Sequence, residues 1–105
     1  MRLIVGLPVR LGRKEATLVE ISRGGARVRH TGMMKVDTDL ILSFMSGPDQ
    51  FSAHARVLSS RVVGLGAGEG GETLFETVVR FTHIPAESLA TIELMLGSEQ
   101  PPVSA

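Results

Sequence analysis

The chain has 105 residues, 43% of them hydrophobic, and its eleven basic side chains balance its eleven acidic ones. This size and composition predict one soluble domain with a modest core, and zero net charge argues against a general nucleic-acid binder. The absence of cysteine excludes disulfides and thiolate metal sites. Gly6 and Pro8 interrupt the apolar start too early for a signal peptide or membrane span, so we expect a cytoplasmic protein without membrane insertion.

The charges are distributed unevenly along the chain. Residues 1–30 carry seven basic and two acidic side chains, and the remainder carries four basic and nine acidic ones. One part of the surface is therefore predicted to be positive, which suits a small anionic ligand or an acidic partner surface. The alternative is that these charges only solubilise exposed strand faces.

Hydrophobic residues alternate along most of the chain, which is typical of strands with one buried face. Gly47-Pro48-Asp49 is predicted to be a turn, and the glycine-rich run 64–71 a flexible hairpin connection. The strands are predicted over residues 2–11, 15–21, 26–30, 38–46, 52–63 and 73–81.

The pattern becomes helical after residue 84. Pro85 is compatible with a first helical turn, and Leu89, Ile92 and Leu96 recur at helical spacing. Gly97 is a natural end of the helix. Six strands followed by one helix predict a mainly all-β fold, an antiparallel barrel or sandwich capped by a C-terminal α-helix. We assign residues 1–97 to this domain and residues 98–105 to a flexible tail.

Residues that could support catalysis or bind a metal are few. His30, His54 and His83 lack metal-ligand spacing, and each is expected at the surface. Ser22 has no nucleophile-elbow context, and the run 64–71 lacks the lysine and the helix of a phosphate-binding loop. The sequence therefore predicts a protein that is not an enzyme, with no catalytic residue, metal site or cofactor.

The segment Ser22-Arg23-Gly24-Gly25 separates two predicted strands. Taken alone, it predicts a tight turn with glycine at positive φ. In context, Ile21-Ser22-Arg23-Gly24-Gly25-Ala26-Arg27-Val28 resembles the core motif of PilZ domains, which reads Asp or Asn, any residue, Ser, any two residues, Gly. The flanks Leu7-Pro8-Val9-Arg10-Leu11 and Val78-Val79-Arg80-Phe81 resemble the first and last strands of that family. The resemblance spans about residues 2–97.

The resemblance implies a six-stranded antiparallel PilZ-like β-barrel that binds the bacterial second messenger cyclic di-GMP. In that family, two arginines grip phosphate and guanine, while the Asp or Asn and the Ser contribute polar contacts. The resemblance also implies a protein partner in motility, biofilm or secretion pathways. The ligand-binding residues expected on this basis are Arg2, Glu20, Ser22, Arg23, Gly24 and Gly25, with Arg27 or Arg29 adding attraction for phosphate.

This chain departs from the family pattern in three places. Glu20 replaces Asp or Asn, and Val78 lies where many members have glycine. Arg2 falls where the second family arginine is expected, and the first would precede Met1. One missing bidentate arginine contact costs about 1.5–3 kcal/mol, or roughly a tenfold to hundredfold loss of affinity. The expectation is weakened cyclic di-GMP binding; the alternative is a degenerate PilZ adaptor that acts through protein–protein contacts alone.

Overall fold

The computed structural model of the chain describes residues 2–65 and 69–97, so the predicted tail at 98–105 lies outside the described residues. A single turn of 3₁₀ helix at Glu69–Gly71 lies between the last two strands. The main elements are β1 (Arg2–Leu11), β2 (Lys14–Ser22), β3 (Gly25–Thr31), β4 (Asp39–Ser46), β5 (Asp49–Gly64), β6 (Leu74–His83) and α1 (Ala86–Gly97).

The six strands close into a barrel in the order β1-β2-β3-β6-β5-β4, and every neighbouring pair is antiparallel. The prediction of a six-stranded antiparallel barrel with one C-terminal helix is confirmed. The order places β6 between β3 and β5, because the last strand returns to pair with β3. This return brings the Ser22–Gly25 turn next to the end of β6.

The turn between β4 and β5 is shorter than the sequence suggested. Ser46 pairs with Asp49, so the connection contains two residues rather than three. Gly47 has φ 61°, a left-handed conformation that two-residue hairpin turns favour and that glycine adopts without a steric penalty.

The barrel interior is filled by the inward-facing residues of all six strands and by one face of α1. On the helix, Ile92 and Leu96 are fully buried, but Leu89 is 43% exposed. The predicted apolar stripe is therefore wrong at Leu89, and its place is taken by Ser88, whose Oγ accepts a hydrogen bond of 2.9 Å from the Ser52 N–H. The buried strand residues are Val9, Leu11, Leu18, Ile21, Ala26, Val28, Leu42, Phe44, Phe51, Ala53, Ala55, Val57 and Val79.

A series of hydrogen-bonded polar side chains lies near the start of β6. His30, expected at the surface, is 4% exposed, and its Nε2 lies 2.5 Å from Thr77 Oγ1. Thr77 Oγ1 lies 2.9 Å from Ser60 Oγ, which accepts a hydrogen bond of 3.3 Å from the Met34 N–H. The other ring nitrogen, Nδ1, lies 3.3 Å from the Thr31 carbonyl oxygen. Since a carbonyl only accepts, the neutral Nδ1–H tautomer satisfies both ring nitrogens.

Burial of His30 makes barrel stability depend on pH. Desolvation is the main cause that lowers the pKa of His30, and the nearby charge of Lys14 lowers it further. The unfolded chain, with an ordinary histidine pKa of about 6.5, therefore takes up the proton before the native barrel does. We expect the free energy of unfolding to be highest above that pH and to fall below it, by at most about 1.4 kcal/mol per pH unit from this group.

Urea unfolding followed by circular dichroism between pH 5 and pH 7.5 measures this dependence. His30→Gln should lose most of the slope, whereas His54→Gln, at an exposed position, should retain it. Equal slopes in the two variants would contradict the assignment to His30.

Candidate functional site

The β2–β3 turn is held by the side chain of its own serine. Ser22 Oγ accepts a hydrogen bond of 3.3 Å from the Gly24 N–H and donates one of 3.4 Å to the Gly25 carbonyl. The Gly24 carbonyl in turn accepts a hydrogen bond of 2.9 Å from the Phe81 N–H. Ser22 therefore closes the turn, and Gly24 fixes the turn to β6.

Gly25 is required by a close approach between strands. A Cβ atom built on Gly25 would lie 2.2 Å from the Val79 carbonyl oxygen, which is backbone and cannot move aside cheaply. By contrast, the atom nearest to a Cβ on Gly24 would be Ser22 Oγ at 4.0 Å. Neither glycine has positive φ, so the expectation of a left-handed glycine in this turn is wrong. The glycine is needed because β3 and β6 approach closely there.

A groove of about 230 Å³ lies beside this turn. Four of the residues predicted from the motif line it together: Glu20, Ser22, Gly24 and Gly25. They meet because Glu20 and Ser22 end β2 while Gly25 begins β3. The volume is below the roughly 300–1,000 Å³ typical of pockets that enclose a drug-sized ligand, so the groove can hold only part of a dinucleotide.

The remaining two predicted ligand-binding residues are Arg2 and Arg23. The backbone of Arg2 pairs with Ser22, so β1 begins beside the turn. Arg23 is not among the groove-lining residues, and its guanidinium forms a bidentate ion pair with Glu93 of α1, with Nε–Oε1 2.5 Å and Nη2–Oε2 2.7 Å. The hydrogen bond and charge of Glu93 raise the pKa of Arg23. This ion pair links the helix to the turn.

Strand residues complete the groove, and the motif alone did not indicate all of them. Arg27 of β3, Val78 and Arg80 of β6, and Leu58 of β5 line it. Arg27 pairs with Val78, and Gly25 pairs with Arg80, so these positions are neighbours across two strands. Alternation along β6 could have placed Val78 and Arg80 on one face, but the β3–β6 register is not visible in the sequence.

Beside the groove, three arginines surround one buried carboxylate. Glu76 lies 3.2 Å from Arg29, 3.3 Å from Arg61 and 3.6 Å from Arg27. Burial alone would raise the pKa of Glu76, but hydrogen bonds from Arg61 and Arg29 and the charge of Arg27 outweigh it, so the pKa lies below its ordinary value. Three positive charges around one negative charge leave this face of the barrel positive.

A larger cavity of about 930 Å³ lies elsewhere; Arg29 lines it, but the four motif residues that line the groove do not. It is bordered by β1, β2, β3 and β4, at residues 7–10, 15–17, 29–31 and 43–45. Its size alone does not define a site. We place the candidate site in the smaller groove because the motif residues and two arginines converge there.

Other kinds of site were sought in the same part of the chain. Within residues 2–65 and 69–97, no three His, Asp or Glu side chains are placed to hold a metal ion. Over those residues, no helix has the length and apolar character needed to cross a membrane. No protein-family model matches the chain, and neither curated proteins nor solved structures match it.

Proposed function

We propose that this chain is a cytoplasmic, non-enzymatic PilZ-type signalling domain that binds cyclic di-GMP in the groove beside the β2–β3 turn, with reduced affinity. The observation that carries the proposal is the convergence of Glu20, Ser22, Gly24 and Gly25 on one groove with Arg27 and Arg80. Short sequence signals separated along the chain thus become one surface with both acceptors and cationic donors.

The chemistry of the groove suits part of a cyclic dinucleotide. The Glu20 carboxylate can accept hydrogen bonds from the donors of a guanine edge, and arginine forks bind phosphate oxygens. Val78 and Leu58 provide apolar surface for the face of a base. Because the groove is small, the second half of the ligand would lie outside it.

Calorimetric titration with cyclic di-GMP tests this proposal. We expect a Kd of about tens to hundreds of micromolar, because an incomplete arginine pair weakens a micromolar site by roughly tenfold to hundredfold. Cyclic di-AMP has the same phosphates but different base edges, and should bind more weakly. No heat with cyclic di-GMP at concentrations near ~1 mM, or equal binding of the two nucleotides, would contradict the proposal.

A second candidate is the adaptor function, in which the barrel acts through protein contacts without a nucleotide. It is favoured by exposed apolar residues at the far end of β5 and in the turn that follows: Val62 is 49%, Val63 37% and Leu65 83% exposed. The register of β5 with β4 ends at Arg56–Asp39, well before these residues. Paired Val62→Lys and Val63→Lys substitutions should abolish capture of a host protein under this candidate and leave nucleotide affinity unchanged.

A further inference from the structure

Arg27 has a guanidinium that the protein does not fully satisfy. Its Nε atom is buried without a hydrogen-bond partner. The nearest carboxylate atoms are Glu76 Oε1, 3.6 Å from Nε, and Glu20 Oε1, 4.0 Å from Nη2. These distances allow charge attraction but exceed those of a good hydrogen bond. A buried donor left unpaired is costly, so its presence in a native fold calls for a physical explanation.

Neighbouring arginines of the same face are held by closer contacts. Arg29 Nε donates to Glu76 Oε2, and Arg61 Nη2 donates to Glu76 Oε1. Both oxygens of Glu76 therefore already accept hydrogen bonds from other arginines. Arg27 is attracted by the carboxylates of Glu76 and Glu20 at longer distances, and its Nε is left without an acceptor.

Arg80 lies on the same groove as Arg27. The pairs Arg27–Val78 and Gly25–Arg80 make the two arginines diagonal neighbours across β3 and β6, a relation that places Cα atoms on the order of 7–8 Å apart. Gly25, directly opposite Arg80, adds no side chain to the groove, because the Val79 carbonyl oxygen lies close to where its Cβ would be. Arg27 and Arg80 line the same groove, which is open to an anion.

We infer that Arg27 and Arg80 form a phosphodiester-binding site on the strands themselves. The inference deepens the proposed function, since a cyclic dinucleotide supplies the phosphodiester. Phosphate oxygens can accept hydrogen bonds from the guanidinium groups of Arg80 and of Arg27, whose side chain is 41% exposed although its Nε is buried. Planar arginine forks match the oxygen geometry of a phosphodiester.

The first arm of the test measures cyclic di-GMP affinity by calorimetry for Arg27→Gln, Arg80→Gln and the matched control Arg29→Gln. Arg27 and Arg29 both lie on β3 and contact Glu76, but only Arg27 lines the groove. We expect the affinity to fall roughly tenfold or more for Arg27→Gln and Arg80→Gln, and to stay within about twofold for Arg29→Gln. Equal losses of affinity for Arg27→Gln and Arg29→Gln would overturn the inference, because a general charge effect would then explain both losses. Thermal melts confirm that each variant is folded.

The second arm uses inorganic pyrophosphate and the arginine Nε–H signals in proton–nitrogen NMR spectra. On titration, the Arg27 signal should move and the Arg23 signal, bound to Glu93, should stay. This arm distinguishes failure of the proposed cyclic di-GMP function from failure of the anion-site inference. A wild-type protein that ignores cyclic di-GMP but responds to pyrophosphate at Arg27 contradicts the proposed function and supports the anion site. No response at Arg27 to either compound overturns the inference.

Discussion

Gly25→Ala is expected to destabilise the barrel by about 3 kcal/mol or to prevent folding altogether. The added methyl group would lie 2.2 Å from the Val79 carbonyl oxygen, and relief requires moving β3 away from β6. That movement breaks the Gly25–Arg80 pairing and the contact from Phe81 to Gly24. Urea unfolding followed by circular dichroism measures the loss, since the chain has no tryptophan or tyrosine for fluorescence.

Gly24→Ala is the matched control, one residue away in the same turn. Its new methyl group would meet no atom closer than 4.0 Å, so the expected change is within about 1 kcal/mol. If both variants unfold at the same urea concentration as the wild type, β3 and β6 are not as close as described. If both are severely destabilised, the turn requires glycine for a reason other than the approach to Val79.

Glu76→Gln is expected to lower the free energy of unfolding at pH 7 by about 2 kcal/mol. Removing one partner of a fully buried ion pair costs about 3–5 kcal/mol, and the smaller figure here reflects arginine side chains that are 41–71% exposed and screened by solvent. The substitution keeps the shape of the side chain but leaves Arg27, Arg29 and Arg61 to repel one another. Urea unfolding of both proteins measures the difference.

The pH dependence distinguishes this effect from a packing defect. The native pKa of Glu76 is lowered, so its stabilisation is present above the ordinary glutamate pKa of about 4.3 and is lost as the pH falls through the native value. The difference between wild type and Glu76→Gln should therefore shrink in acid and also in high salt. Glu72→Gln, at an exposed position, should show no such difference. A difference in the free energy of unfolding that persists in acid would indicate that the substitution disturbs packing rather than charge interactions.

The strands and the helix could be predicted from the sequence because alternation and helical spacing are local properties. Leu42, Ala55 and Val79 each lie on one of the alternating strand faces read from the sequence, and each is buried. The face of α1 was misplaced at Leu89 because the helix direction depends on contacts with β5 such as Ser52–Ser88. The prediction for His30 was wrong for a similar reason, since its partner Thr77, which in turn contacts Ser60, comes from a distant strand that only the fold brings near.

Some residues of the candidate site have roles in the fold itself, whereas the fold does not explain the placement of others. Ser22 closes a turn and Gly25 permits a close approach, so both motif residues have structural roles without a ligand. Arg23, predicted as a site residue, is bound to Glu93. The fold leaves unexplained the unpaired Nε of Arg27 and its position beside Arg80 on the same groove. That arrangement depends on the β3–β6 register, which local sequence patterns do not specify.

Mapping cyclic di-GMP onto the isotopically labelled protein by proton–nitrogen NMR tests the central claim most directly. If cyclic di-GMP binds in the groove, the amide signals of residues 20–27 and 78–80 should move during the titration and fit one Kd. Signals from Leu7, Val9, Arg10 and residues 43–45, at the larger cavity, should remain in place. Movement confined to that cavity, or no movement at ligand concentrations near ~1 mM, would contradict a nucleotide site in the groove.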